Sequence, residues 1–351
     1  MNILAVESSC DDMSWAVVRN GKEVLSCHVF SQNELHGTTG GVVPEVAARE
    51  HVRQVIHVLR NAYTVDELRN TIDAIAVTEG PGLLGSLLIG ISAAATLATF
   101  LKKPLIPVQH IEGHIASNWL ERDEEDIRFP LVVLTVSGGH NDLYYMENPG
   151  HYEHIGTTQD DAAGEAFDKV ARMLDLGYPG GPAIEKFLQT HSPTSVSDFR
   201  FPRSWKLQGA YDFSFSGLKS EVRRTVDKYT QQGMLDDDMK AMIAQEFQIS
   251  VVEVLAKRLL QAGKDRGVHS LCISGGVAAN EQLRTYIYNH ALEYGFSSTD
   301  IFFPMKKVYC TDNAAMIGAR AFQIWKYKKG SVCTFAEQIF GVKPMLQYRV
   351  E

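Results

Sequence analysis

The chain has 351 residues, 45% hydrophobic and 22% charged, with a formal net charge of -8. That length exceeds what a single core usually organises, so two domains are expected, and the acidic balance excludes a general attraction to nucleic acid or membrane, so an RNA partner needs a local basic patch or helper proteins. The five cysteines, Cys10, Cys27, Cys272, Cys310 and Cys333, are scattered and never spaced C-x-x-C, which argues against a disulfide framework or structural zinc and fits a reducing, cytoplasmic setting.

In chain order, Ile3 to Glu7 reads as a short apolar strand beginning almost at Met1, too early for a leader peptide to precede it. The polar turn Ser8 to Asp12 leads into a second strand, Trp15 to Val18. Ile72 to Val77 is a further strand, running through Glu79-Gly-Pro-Gly82 into Leu83 to Leu101, 19 residues without a charge. That is the length of a membrane span. Gly85, Ser86, Gly90, Ser92, Thr96 and Thr99 dilute its apolarity, however, so a buried core helix is expected.

Roughly 130 residues further on the same pattern returns: strand Leu131 to Val136, turn Ser137-Gly-Gly-His140, strand Asp142 to Met146. Leu271 to Ile273, leading into Ser274-Gly-Gly276 and a helix, likewise resembles the later unit of the first half. The repetition predicts a duplicated α/β domain with a cleft between its copies. Residues 1–109 are assigned to the first lobe, 110–325 to a second lobe with helical insertions, and 326–351 to a tail packing back on the first lobe. The insertions include helices over Asp160 to Leu176, ended by Gly177, and Leu235 to Ala262, while Pro193 to Gln208 reads as a surface loop.

Three patterns can carry chemistry. His110-Ile-Glu-Gly-His114 follows the strand Leu105 to Val108 and opens a helix, where residues four apart lie on one face and two imidazoles can share a metal ion. Spacing alone leaves unrelated surface histidines equally open. The zinc-protease pattern H-E-x-x-H is absent, since Glu112 stands two places after His110 and points about 200° around the helix. Asp312, before the apolar helix Ala314 to Ala321, is a candidate third ligand or else a helix N-cap. The glycine turns Gly80-Pro-Gly82, Ser137-Gly-Gly139, Pro179-Gly-Gly-Pro182 and Ser274-Gly-Gly276 permit backbone N–H groups to approach phosphate. Neither a Walker lysine pattern nor G-x-G-x-x-G accompanies them. Asp11 and Asp12 in the first turn face phosphate or its metal, or are ordinary turn carboxylates. Asp161, Glu165 and Asp168 share a helical face that reads mainly as solvated.

Taken together, Glu7-Ser-Ser-Cys-Asp11, Gly40-Gly-Val-Val-Pro-Glu45, Gly80-Pro-Gly82, His110 to His114, Val136-Ser-Gly-Gly-His140, Asp160 to Lys169, Tyr178-Pro-Gly-Gly-Pro182, Asp212 to Lys219, Ser274 to Asn280 and Cys310-Thr-Asp-Asn313 resemble, along nearly the whole chain, the bacterial tRNA N6-adenosine threonylcarbamoyltransferases (TsaD, also Gcp or YgjD). The resemblance implies an α/β actin, Hsp70 and sugar-kinase (ASKHA) fold with two duplicated RNase H-like lobes. It implies transfer of the threonylcarbamoyl group of threonylcarbamoyl-adenylate to N6 of the adenosine just 3′ of the anticodon, in tRNAs reading codons that begin with A, releasing AMP. One divalent ion, Fe2+ foremost with zinc or magnesium as substitutes, would be held by His110, His114 and Asp312. Thr135, Val136, Ser137, Gly138, Gly139, Asp168, Gly181, Glu185 and Asn280 would bind substrate, and Asp11 and Asp12 would serve catalysis. The companions would be the shorter paralogue TsaB and the ATPase TsaE.

There are three departures from the family pattern: Asp11-Asp12-Met13 replaces Asp-Glu-Thr, Thr135 stands where archaeal and eukaryotic relatives carry tyrosine, and Glu185 replaces a shorter acid. Arg203, Lys206, Lys219, Arg223, Arg224, Lys306 and Lys307 are the candidate tRNA-facing cations. A metallopeptidase and a small-molecule kinase of the same fold are the competing readings.

Overall fold

The computed structural model describes residues 1–37, 41–193, 199–203 and 211–327, which form two compact units. Of the described residues, the first holds those within 1–128, 148–152 and 303–327, and the second those within 129–147 and 153–302.

The first unit opens with β1 (Asn2–Glu7), β2 (Met13–Arg19) and β3 (Glu23–Phe30), then α1 (Asn33–Gly37), α2 (Pro44–Ala62), α3 (Val65–Thr71), β4 (Ala74–Gly80), α4 (Leu84–Leu101), β5 (Leu105–Gln109) and α5 (His110–Ala116). β1, β2 and β3 pair antiparallel and β4 and β5 add in parallel, giving the order β3-β2-β1-β4-β5. The second unit contains β6 (Leu131–Val136), β7 (Asn141–Met146), β8 (Glu153–Thr157), α6 (Ala163–Met173), α7 (Gly180–Thr190), α8 (Ser216–Gln231), α9 (Asp237–Arg266), β9 (Ser270–Ser274), α10 (Glu281–His290) and β10 (Ile301–Phe302). Its order is β10-β9-β6-β7-β8, with β7 and β8 antiparallel and β9 and β10 parallel. Strand for strand, the two sheets share one topology, so the expected duplication is present.

After β10 the chain returns to the first unit in α11 (Ala314–Tyr327). The central strands of the first sheet are buried on both faces because helices cover both. Leu4, Val6, Trp15, Val17, Ile75 and Val77 join the core built with α2 and α4, and the alternating Ile3, Ala5, Ala16, Val18, Ala74 and Ala76 join the one built with α11. The alanines admit α11 closely: a Cβ on Gly318 would stand 2.7 Å from Val18 Cγ2.

That packing corrects the expected boundary at 109/110. α5 and α11 lie on the first sheet and against each other, so the segments bearing His110 and Asp312 belong to the first unit. α4 is long and apolar enough to cross a membrane, yet Leu87, Ile91, Ala94, Ala95, Ala98 and Leu101 are buried in the first core, as expected of a core helix. α6 starts at Ala163, later than expected, because Asp160 binds the N–H groups of Phe215 and Ser216 at 2.8 and 3.2 Å, and Asp161 pairs with Lys169 and Lys219. α9 runs past Ala262 to Arg266, where Gly267 ends it at φ 61°. In the expected loop, residues 193 and 199–203 carry no helix or strand. The remainder of that loop with Lys206, and likewise Gly40, Cys333 and the tail from 328, lie outside the described residues.

Candidate functional site

β5 delivers the chain into α5 at His110, and one turn later His114 stands beside it, ring centroids 4.7 Å apart and planes at 81°. Gly113 lets the neighbouring helix in, since a Cβ there would meet Ile317 Cδ1 of α11 at 2.7 Å. At the head of α11 the capping is done by Asn313, whose Oδ1 accepts from Met316 N at 3.0 Å, while Ser14 Oγ accepts from Ala314 N at 3.0 Å. Asp312 is thus not the cap. Its Oδ1 turns to the histidines, 3.0 Å from His114 Nε2 and 3.6 Å from His110 Nε2. One ligand atom from each of the three lies within 4.8 Å of the others.

The surroundings of this trio suit a cation. His114 is fully buried and neither ring nitrogen has a hydrogen-bond partner, so the Nε2 approach to Asp312 is not a hydrogen bond. Leaving such a group unpaired costs roughly 1–3 kcal/mol, a penalty that coordination would remove. Burial by itself would lower His110, but Glu7 and Asp312 outweigh it and raise the imidazole to about 9. Burial pushes Glu7 upward, and the charge and hydrogen bond of His110 more than reverse this, leaving it below the usual carboxylate range. Positive charge is therefore favoured between these two carboxylates, and two imidazoles with one carboxylate form a donor set that could hold a divalent ion.

Other carboxyls stand around the trio. Asp12 Oδ1 is buried without a hydrogen-bond partner; burial, then Asp312 and Asp11, push this acid up to about 7. Glu79, at the end of β4, is pushed up to about 7 by burial and by Glu112. Glu112 itself accepts from Arg320 Nε at 2.6 Å, and that guanidinium is 1% exposed. The glutamate of the histidine motif is thus held in an ion pair with a buried arginine. Reading the motifs alone missed Glu7, Ser9, Thr78 and Glu79. The available signal was an acid closing an otherwise apolar strand, as Glu7 does.

The remaining expected site residues lie in the second unit. Thr135 and Ser274 are paired in register on β6 and β9, their hydroxyls 3.2 Å apart. Ser137 to His140 closes a turn through Ser137 N to His140 O at 2.8 Å, and the carbonyls of Ser137 and Gly138 accept from Gly164 and Glu165 at the start of α6. Gly138 and Gly139 face open space. Asp168 accepts from Gly180 N at 2.7 Å, pinning the start of α7. A Cβ on Gly180 would strike Phe167 O at 2.4 Å, whereas one on Gly181 would meet nothing within 4 Å. Asn280 caps α10 by accepting from Leu283 N at 2.9 Å, and Glu185 accepts from the adjacent Glu281 N at 3.1 Å. Asp168, Glu185 and Asn280 therefore each have a structural task, and Glu165 is paired with Lys169 at 2.6 Å rather than merely solvated.

A family model described as TsaD, tRNA N6-adenosine threonylcarbamoyltransferase, matches residues 23–319. The chain belongs to this family. A tRNA N6-adenosine threonylcarbamoyltransferase of Staphylococcus haemolyticus is 48% identical over 325 residues, 92% of this chain and 91% of the relative. One from Symbiobacterium thermophilum is 46% identical over 329 residues, covering 92% of each chain. Among solved structures, T. kodakarensis HypF superposes with a TM-score of 0.60 at 17% identity, covering 94% of this chain and 48% of that one. Component A of the Acidaminococcus fermentans (R)-2-hydroxyglutaryl-CoA dehydratase gives 0.51 at 16% identity, covering 92% and 98%. These likenesses agree with the ASKHA-type α/β fold.

Most of the cations proposed for tRNA are engaged. Arg203 is held by Glu246 and Glu253, each at 2.9 Å, with only 16% of its side chain exposed, so it serves the fold. Lys219 pairs with Asp161, Arg223 with Asp227, Arg224 with Glu221 and Lys306 with Glu121.

Proposed function

We propose that this family member transfers a threonylcarbamoyl group from threonylcarbamoyl-adenylate to N6 of the adenosine just 3′ of the anticodon in tRNAs reading codons that begin with A. The N6 nitrogen bonds to the carbamoyl carbon, the bond from that carbon to the AMP phosphate oxygen breaks, and one N6 proton departs. The observation that carries the reading is the trio His110, His114 and Asp312, assembled in a chain matched to this family over residues 23–319.

His110, His114 and Asp312 would hold one divalent ion. Two imidazoles and a carboxylate leave coordination positions open, which favours Fe2+ over a closed structural zinc site. When bound, the ion supplies a Lewis acid and a template for the carbamoyl group. The open backbone at Gly138, Gly139 and Gly181 offers N–H groups to the adenylate, with Thr135, Val136, Ser137, Asp168, Glu185 and Asn280 shaping their surroundings. Asp11 and Asp12 are proposed to serve catalysis, and the raised Asp12 is suited to exchanging a proton near neutral pH.

The companions TsaB and TsaE and a cytoplasmic setting belong to the same reading. An acidic chain whose candidate cations are mostly paired benefits from helpers when it meets a polyanion. The test supplies purified protein, both companions, threonylcarbamoyl-adenylate and unmodified tRNA; modified adenosine is expected, and its absence would reject the reading. His110→Ala should abolish metal retention while the metal-free protein keeps its circular dichroism spectrum. Retained metal would show that the ligands lie elsewhere.

A further inference from the structure

Glu7 is fully buried at the end of β1. Its Oε1 accepts from Ser9 N at 2.6 Å, and its Oε2 accepts from Thr78 Oγ1 at 2.6 Å and lies 3.1 Å from His110 Nδ1. Ser9 Oγ is also 3.1 Å from that nitrogen, so in the neutral imidazole that metal binding requires two tautomers compete. In one, Nδ1 carries the proton and donates to Glu7; in the other, Ser9 donates to a bare Nδ1, leaving a lone pair facing a carboxylate oxygen. A carboxylate can only accept, and a buried one without compensation is costly. Among the described residues the hydrogen-bond partners of Glu7 are Ser9, Thr78 and His110, so the first tautomer prevails.

We propose that Glu7 is the positioning residue of the metal centre: by taking the Nδ1 proton of His110 it bares Nε2, the nitrogen turned toward Asp312, for a divalent transition-metal ion. The inference rests on His110, His114 and Asp312 being the ligands. Thr78 and Ser9 N then hold Glu7 as Glu7 holds His110, a chain running from β4 and the first turn to the ion. Partners of ligating histidines commonly alter metal affinity 10–100-fold.

Co2+ titrated against a competing chelator reads this directly. Glu7→Gln, with its fold checked by circular dichroism, should bind Co2+ roughly 10–100-fold more weakly than the unsubstituted protein and shift the cobalt absorption bands, while Glu7→Asp restores part of the affinity. Equal affinity in Glu7→Gln overturns the proposal. Failure of the unsubstituted protein to bind Co2+ instead removes the metal reading, and this inference with it. Should Glu7→Gln not fold, nitrogen NMR of histidine-labelled, Zn2+-loaded unsubstituted protein decides, with His110→Ala giving the assignment. A proton on Nδ1 is expected, and a proton on Nε2 or metal on Nδ1 overturns the proposal.

Discussion

At the scale of single residues, Glu79 gives a pH signature that can be read in the metal-free protein. Its carboxyl, at about 7 in the folded chain, titrates near 4.3 when unfolded, so the folded state binds the extra proton between those values. This contribution to stability is full below the unfolded value, is lost as pH rises from there through about 7, and is flat above. Glu79→Gln should remove that decline, making the variant about 1–3 kcal/mol more stable than its parent at pH 8, relative to pH 5. Denaturant melts at the two pH values measure the difference, and parallel curves would show that Glu79 stays ionised. The histidine pair was legible in the sequence because helical spacing alone puts residues four apart on one face. Glu7 and Thr78 were not, because their meeting depends on the parallel pairing of β1 with β4 across some 70 residues.

At the scale of elements, the glycine turns divide into those that pack and those left open. Gly180→Ala drives a methyl group into backbone, 2.4 Å from Phe167 O, and should cost about 1–3 kcal/mol by overpacking. Gly181→Ala meets nothing and should leave the melting temperature unchanged while lowering transfer activity, provided that substrate comes to this turn. Normal activity in Gly181→Ala would remove that residue from the substrate set. The late start of α6 has a different cause. Asp160 and Asp161 fit a helical pattern, but their oxygens are claimed by Ser214 to Ser216 and by Lys219, more than 50 residues away. Gly113 shows the complementary case, in which a poor helix former is kept where α11 must approach α5.

At the scale of the whole molecule, all three proposed metal ligands belong to the first unit. A ligand at 100 times its dissociation constant stabilises the state that binds it by about 2.7 kcal/mol. Saturation with Co2+ or Fe2+ should therefore raise hydrogen-exchange protection in β1, β5, α5 and α11 more than in the second sheet. Uniform protection across β6, β7 and β9 would contradict a centre confined to the first unit.

Composition, strand-turn-strand repetition and motif order were sufficient to determine a duplicated α/β fold and the family, and to mark His110, His114 and Asp312 as candidate ligands, because each is written in local periodicity or in residue type. The boundary between units, the release of Asp312 from capping and the partner of His110 were decided only by tertiary structure. The first two depend on an alanine-lined sheet face that draws α11 back across some 200 residues onto α5, and the third on the parallel pairing of β1, β4 and β5, proximities that no local pattern encodes.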